Sequence, residues 1–290
     1  MTGPSATGPS FAAPSATGPC TVDPEPVVDP RRIPYERCPW CDAGVERRRF
    51  LRDQSWAWRA DYSPELHPVI RWVACEGCGH QFTSGYHDAV AEGIVFARPQ
   101  PGQSPEGMRA AQVEASRNVW AKVVESVGRV VPEGSWLDVG AGSGMLLALA
   151  SECGYDAAAV EMRESTAAAL RARGLHVAST LDGGPWSSYD VVSLCDVLEH
   201  VAWPRQFLRA AVGLVAPGGC LFLSSPNRDS LAWEALDGEN VNPYWSEIEH
   251  FHNFSFRQIR GELLDLGLGP VTCTVSNRYR LGMDVLAVRR

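Results

Sequence analysis

The stretch Leu137-Asp138-Val139-Gly140-Ala141-Gly142-Ser143-Gly144 decides the fold of this sequence. A short apolar run ends here in a loop with three glycines, and a helix-forming run, "GMLLALASEC", continues from the loop. Glycines let the backbone approach a ligand closely and adopt positive φ in a tight turn. The N-terminus of the following helix favours negatively charged groups. The stretch therefore predicts a buried strand, a ligand-binding loop and a helix in succession.

The alternation of strands and helices continues to the end of the sequence. Helical periodicity runs from Met108 to Gly128, and further helices are predicted in "ESTAAALRARG", "WPRQFLRAAVGLVAPGG" and "SFRQIRGELLDLGLG", the last with Ser255 as N-cap. Strands are predicted in "SWLDVGA", "DAAAVEM", "YDVVSLCD", "CLFLSSPN", "VTCTVS" and "MDVLAVRR". This order is typical of an α/β fold with a parallel, doubly wound sheet, whose ligand lies at the carboxyl ends of the strands.

Two acidic residues near the glycine loop narrow the choice of cofactor. Glu161 ends the second predicted strand, 21 residues after Gly140, a spacing that suits a bidentate hold on ribose hydroxyls. Asp138 lies two residues before the first glycine, where it could attract a cationic amino group. Dinucleotides and S-adenosylmethionine remain as cofactor classes. The position of Asp138 favours S-adenosylmethionine, because its methionine end carries such an amino group.

The motifs that follow one another along the chain resemble those of class I S-adenosylmethionine-dependent methyltransferases over roughly residues 110–290; they are "LDVGAGSGMLL", Glu161, "YDVVSLCDVLEHVAWP" and "LVAPGGCLFLSSPN". The resemblance implies a Rossmann-like fold with a seven-stranded sheet. It also implies that Asp138, Gly140, Gly142 and Gly144 contact the methionine moiety, that Glu161 holds the ribose, and that Asp196 borders the methyl donor. The "LEHV" form is most similar to the subgroup that methylates small molecules, including ubiquinone-type hydroxyl methyltransferases.

Four cysteines ahead of this region predict a metal site. They form two pairs, Cys38/Cys41 in "CPWC" and Cys75/Cys78 in "CEGC". Four thiolates make a closed tetrahedral Zn²⁺ site, which leaves no position for a substrate, so the metal is predicted to be structural. His80 could replace one thiolate, although a position next to a metal ligand or in solvent is favoured. Redox chemistry of one pair is the other alternative. The pattern is similar to the zinc-ribbon-like head of bacterial sugar methyltransferases.

Two histidines are candidates for a general base. Removal of the proton from a hydroxyl acceptor typically accelerates such a reaction by about 10²–10⁴-fold, and histidine suits that task near neutral pH. His250 lies in "EHFHNFS", which resembles the acceptor-side "H-x-H-x-F-S" form of the family, and is the first choice. His200, directly after the fourth predicted strand, is the second.

Composition bounds the organisation of the chain and its partners. The 290 residues divide into a disordered Pro/Gly/Ser/Ala-rich tail (1–30), the zinc-ribbon-like module (31–96), a linker (97–107) and the methyltransferase-like domain (108–290). The net charge of −8 argues against a nucleic-acid partner. The sequence has no apolar run of membrane-spanning length and no secretory signal, so we expect a cytoplasmic protein whose 9 cysteines serve as metal ligands or free thiols. It does not indicate an oligomeric state.

These features together predict a methyltransferase of secondary metabolism that acts on a small molecule. The expected acceptor is a sugar, a nucleotide-linked sugar or a secondary metabolite, methylated at a hydroxyl oxygen. Methylation at carbon or nitrogen is one alternative. An RNA methyltransferase that grips RNA with the zinc module is a second, and a non-catalytic scaffold that binds the cofactor is a third.

Overall fold

The computed structural model describes residues 28–97, 110–181, 187–278 and 281–290. The predicted disordered tail lies outside these ranges up to residue 27, and the predicted linker lies outside them from residue 98. Among the described residues, none of the helices combines the length and the apolar character needed to cross a membrane.

The secondary structure follows the predicted alternation. The helices α1 to α7 are Ala89–Phe96, Ala110–Gly128, Met145–Glu152, Glu164–Ala172, Pro204–Gly213, Leu231–Gly238 and Phe256–Asp265. The strands β1 to β13 are Arg32–Pro34, Arg48–Ser55, Val69–Cys75, Gln81–Thr83, Gly85–His87, Ser135–Val139, Asp156–Val160, His176–Ala178, Tyr189–Cys195, Val215–Pro226, His252–Asn253, Leu268–Val275 and Gly282–Arg289. Short 3₁₀ turns occupy Val45–Arg47, Leu198–His200 and Pro243–Ser246.

A seven-stranded sheet in the order β12-β13-β10-β9-β6-β7-β8 forms the centre of the fold, which confirms the predicted α/β architecture. The pairs β10–β9, β9–β6, β6–β7 and β7–β8 are parallel. The prediction of a wholly parallel sheet needs correction at β13, which runs antiparallel to both β10 and β12. Only residues 276–281 join β12 to β13, whereas a parallel connection needs a crossover of about a dozen residues or more.

Helices cover both faces of this sheet because alternate residues of its strands point to opposite sides. Leu137 and Val139 of β6 belong to a core that includes residues of α5 and α7. Trp136 of the same strand belongs to a second core, built with residues of α2 and α3. The sheet is therefore doubly wound, and the carboxyl ends of β6, β7 and β9 meet along one edge.

The cysteine-containing part of the chain shares a sheet and a hydrophobic core with the C-terminal half. Its antiparallel sheet has the order β11-β4-β3-β2, and its fourth strand, β11, comes from residues 252–253 of the C-terminal half. A third core joins Trp56 and Trp72 of the N-terminal part to Trp233, Trp245 and Ile248. We call residues 28–97 the head. The head and the segment 242–254 thus share one sheet and one core.

Candidate active site

The glycine loop adopts a backbone that other residues avoid. Gly140, Gly142 and Gly144 have φ of 80°, 51° and 72°. A Cβ on Gly140 would lie 2.6 Å from Val197 Cγ2, so this position also lacks room for a side chain. Gly144 is the N-cap of α3, and the first N–H groups of a helix have no partner within it. The loop therefore offers backbone donors at the carboxyl end of β6.

Glu161 follows β7 and holds the glycine loop in place. Its side chain is buried, and its two carboxylate oxygens accept hydrogen bonds from Gly142 N and Arg163 N, each at 2.9 Å. A carboxylate has about four lone-pair sites, so both oxygens keep acceptor capacity beyond these bonds. The geometry suits a carboxylate that accepts a pair of hydroxyl groups beside the loop.

Asp138 is a buried acid at the start of the loop. Ser193 of the adjacent strand β9 donates a hydrogen bond to its Oδ1 at 2.6 Å, and Trp136 Nε1 donates in turn to Ser193 Oγ at 2.9 Å. Burial raises the pKa of Asp138 to about 6, against the opposing effect of the bond from Ser193. A cation beside Asp138 would favour its ionised form, so the site suits an ammonium group better than a phosphate.

Asp196 stands at the end of β9 in a conformation unusual for a residue with a side chain. Its φ is 54°, and Ser224 of β10 fixes it by donating to Asp196 Oδ1 at 3.1 Å. Arg278, which precedes β13, forms an ion pair with the Asp196 carboxylate. The Arg278 guanidinium carbon also lies 4.2 Å from the centre of the Trp120 ring on α2. Arg278 therefore lies at the same edge of the sheet as Asp138 and Asp196, and it is ion-paired with Asp196.

His200 and His250 meet although 50 residues separate them. Their ring centres are 4.7 Å apart and the rings are nearly perpendicular. Glu199 joins them, and one donor or acceptor atom from each of the three residues lies within 4.8 Å of the others. Tyr244 stacks on His250 with a centroid distance of 5.8 Å. The two candidate bases thus form one cluster with a carboxyl group.

Hydrogen bonds and burial set the protonation of this cluster. His200 Nδ1 lies 3.0 Å from the carbonyl oxygen of Glu249 and must donate to it, so the neutral ring keeps its lone pair on Nε2. Burial lowers the pKa of His200 to about 4 and raises that of Glu199 to about 7. Within the described part of the chain, Glu199 Oε1 and His250 Nδ1 are buried without a hydrogen-bond partner. Burial lowers the pKa of His250 as well, so both histidines are uncharged at neutral pH.

The four predicted metal ligands also come together. Sγ atoms of Cys38 and Cys78 are 3.8 Å apart, those of Cys41 and Cys75 are 3.6 Å apart, and all four lie within 4.8 Å of one another. Sulfurs bound tetrahedrally to Zn²⁺ at about 2.3 Å are about 3.8 Å apart. The spacing of the thiols thus fits a closed zinc site. His80 lies outside the cluster, because its ring nitrogens bond to Gln258 and His252.

A family model described as a methyltransferase domain matches residues 110–272, which is more than half of the 290-residue chain. The chain belongs to this methyltransferase family. Membership confirms the resemblance to class I S-adenosylmethionine-dependent methyltransferases. The matched region begins at α2 and contains the glycine loop, Glu161, Asp196 and the histidine cluster.

Curated relatives of the methyltransferase domain match a shorter segment. The chain is 32% identical over 103 residues to the ubiquinone biosynthesis O-methyltransferase of Bordetella avium. This alignment covers 32% of this chain and 43% of that protein. It is 33% identical over 107 residues to the ubiquinone biosynthesis O-methyltransferase of Pectobacterium atrosepticum, covering 33% and 44%. The chain thus spans less than half the length of these relatives.

A solved structure shares the fold of the methyltransferase domain. The 1,6-didemethyltoxoflavin-N1-methyltransferase of Burkholderia thailandensis, bound to S-adenosylhomocysteine, aligns with a TM-score of 0.51 and 14% identity. The alignment covers 72% of this chain and 95% of that one. At this identity the likeness concerns the fold alone.

The structure places the predicted cofactor residues of the methyltransferase domain along one edge of its sheet, at the ends of β6, β7 and β9. Their roles stay predictions. Sequence reasoning missed Ser193 and Arg278 as members of the site, and it noted Glu199 only as part of the "LEHV" form, without a role. A serine within the apolar run "YDVVSLCD" was a signal for the first, whereas Arg278 has no local signal because its partners come from other strands.

Proposed function

We propose that this protein transfers the methyl group of S-adenosylmethionine to a hydroxyl oxygen of a small molecule. One observation carries the proposal: the same domain contains the glycine loop with its buried acids, Asp138 and Glu161, and a cluster of uncharged histidines, His200 and His250. The names of the two curated relatives support oxygen as the methylated atom. Sugars, nucleotide-linked sugars and hydroxylated secondary metabolites are the proposed acceptors.

The residues along the sheet edge bind different parts of the cofactor. Asp138 attracts the amino group of the methionine moiety, and the backbone of Gly140, Gly142 and Gly144 lets that moiety approach closely. Glu161 accepts hydrogen bonds from the ribose hydroxyls through the acceptor sites left beside its bonds to the loop. Asp196 borders the methyl donor. S-adenosylmethionine, when bound, supplies a methyl group that is already activated.

Since the donor is activated, the chain contributes alignment and proton removal. His250, or His200 through the lone pair on Nε2, would take the proton of the acceptor hydroxyl as its oxygen bonds to the methyl carbon. The bond between that carbon and the sulfonium sulfur would break at the same time, and S-adenosylhomocysteine would leave. Both histidines are uncharged before the reaction because burial lowers their pKa values. Glu199 lies next to both rings, and its ionised form, which predominates above pH 7, stabilises the imidazolium that results. The proton then leaves to solvent.

We propose further that the cysteine cluster holds one structural Zn²⁺. The sulfur spacing supports this, and each cysteine pair is closed by the same backbone bonds. Asp42 N donates to Cys38 O at 3.0 Å, and Gly79 N donates to Cys75 O at 2.8 Å. Bound zinc would supply folding free energy to the head, on the order of 10 kcal/mol.

The test is calorimetric titration with S-adenosylmethionine and S-adenosylhomocysteine, with zinc assayed on the same sample. We expect binding by the wild type that weakens about tenfold or more in Glu161→Ala, because charge-assisted hydrogen bonds contribute about 1.5–3 kcal/mol. Glu164→Ala is the matched control, since Glu164 is exposed in the first turn of α4. Failure of the folded wild type to bind either ligand would refute the proposal. With binding secured, formation of S-adenosylhomocysteine is followed on a panel of hydroxylated acceptors.

A further inference from the structure

The second cysteine pair is attached directly to a buried histidine. His80 follows Cys78 by two residues, and its carbonyl oxygen accepts a hydrogen bond from Cys75 N at 2.8 Å. The His80 ring has no exposed surface and packs between Trp40, Phe82 and Phe254. The position of this ring therefore depends on the fold of the cysteine turn.

A chain of hydrogen bonds runs from this ring to the backbone beside His200, a candidate base. His252 Nε2 lies 2.9 Å from the carbonyl oxygen of Val201 and must donate to it. Burial lowers the pKa of His252 to about 3, so the ring is neutral and its Nδ1 is an acceptor. His80 Nε2, 3.1 Å away, donates to that Nδ1, and His80 Nδ1 accepts from Gln258 Nε2 at 2.9 Å. Each donor and acceptor has one consistent assignment.

The chain ends where the candidate bases begin. Val201 directly follows His200, and His252 follows His250 by two residues. Between them, Phe251 N donates to the carbonyl oxygen of Glu199 at 2.8 Å, so the two segments are tied together. The bond from His252 to Val201 adds a second tie across the same pair of segments.

Other head residues hold the surrounding backbone in the same way. Tyr35 Oη donates to the carbonyl oxygen of Ala202 at 2.9 Å, and His87 Nε2 donates to that of Ile248 at 3.0 Å. Trp72 Nε1 donates to the carbonyl oxygen of Trp245 at 2.9 Å. Ala202 and Ile248 lie two residues from His200 and His250, respectively, and Trp245 lies five residues before His250. None of these bonds involves the glycine loop, Glu161 or Asp196.

We propose that His80 is a positioning residue that couples metal occupancy of the cysteine cluster to the placement of His200 and His250. The proposal rests on the function proposed above for those two histidines. Loss of the metal loosens the Cys75–Cys78 turn, releases His80 and frees His252 to rotate. His200 and His250 then lose their fixed positions, while the glycine loop, Glu161 and Asp196 keep theirs.

The experiment follows the histidine ring nitrogens by long-range ¹H–¹⁵N correlation, because the full chain has only 7 histidines to assign. In the zinc-loaded wild type we expect His252 with its proton on Nε2 and His200 with its proton on Nδ1. His80→Phe keeps an aromatic ring but removes both nitrogens. We expect this variant to retain its zinc and its affinity for S-adenosylhomocysteine, while the His252 and His200 signals shift or broaden. Chelation of zinc from the wild type should produce the same change.

Two further variants separate coupling from general damage. His80→Gln restores a donor toward His252 and should return the His200 signal toward its wild-type position. His176→Phe, an exposed histidine on the far edge strand β8, should leave the signals of His200 and His252 unmoved. Once an acceptor is known, we expect kcat of His80→Phe to fall about tenfold or more at unchanged KM for S-adenosylmethionine, as for supporting residues around other sites.

Unmoved His252 and His200 signals in both His80→Phe and the chelated wild type would overturn the coupling. A wild type that shows the predicted tautomers and coupling but binds neither cofactor form would instead refute the proposed function alone. The two failures are distinguishable because the ring signals are read without turnover.

Discussion

At the scale of the residue, Glu199 and His200 make the stability of the protein depend on pH in opposite directions. Its ordinary pKa is 4.5 and burial raises it to about 7, so between these values the folded protein keeps a proton that the unfolded chain releases. Stability therefore falls as pH rises through this window, by about 3 kcal/mol in total. His200 acts in the opposite direction, since burial lowers its pKa to about 4 and its contribution increases as pH rises toward 6.5.

Comparison of the wild type with Glu199→Gln isolates the carboxyl group. We expect the unfolding free energy of the wild type, minus that of the variant, to decrease by about 3 kcal/mol between pH 4 and pH 8. Urea denaturation at several pH values measures it. For Glu133→Gln, at an exposed position, the unfolding free energy should change with pH in the same way as that of the wild type. If that of Glu199→Gln also changed in the same way, the buried carboxyl would not titrate as described.

At the scale of the element, the strand–loop–helix unit depends on Gly140. Its φ of 80° and the nearby Val197 Cγ2 both oppose a side chain, and valine has little freedom to turn away. Gly154 has φ of 94° but open space around it, so Gly154→Ala carries the backbone strain alone. We expect that strain to cost about 1–2 kcal/mol in both variants. Gly140→Ala should lose more, together with its affinity for S-adenosylhomocysteine. Equal melting temperatures and affinities for the two variants would contradict this reading of the loop.

The elements also show what the sequence could and could not predict. Strands such as "SWLDVGA" and "YDVVSLCD" were predictable because apolar runs bounded by glycine or acid are local signals. Glu161 was found by its spacing, and the cysteine pairs by theirs. Strand β11 was not predictable, because its two residues pair only with a strand about 170 positions earlier in the chain. The meeting of Glu199 and His200 with His250 was not predictable for the same reason, since these residues come from distant segments of the chain.

At the scale of the whole molecule, the head and the methyltransferase domain share a sheet and a core. Although the sequence suggests separable parts at 31–96 and 108–290, separation would expose Trp233, Trp245 and Ile248. We therefore expect a single calorimetric unfolding transition for the zinc-loaded protein, shifted as a whole to lower temperature by a chelator. Two transitions, of which only one responds to the chelator, would show that the parts unfold independently.

The origin of β11 also has a consequence for synthesis on the ribosome. The four cysteines are translated by residue 78, whereas the strand that completes their sheet emerges only at residues 252–253. At about 5–20 residues per second, the interval is on the order of 10–30 seconds. During this time the nascent head would expose the edge of β4 and the faces of Trp56 and Trp72, while all four proposed metal ligands would already be present. Early metal binding would stabilise the head and so limit aggregation through this exposed surface until residues 233–253 are synthesised and cover it.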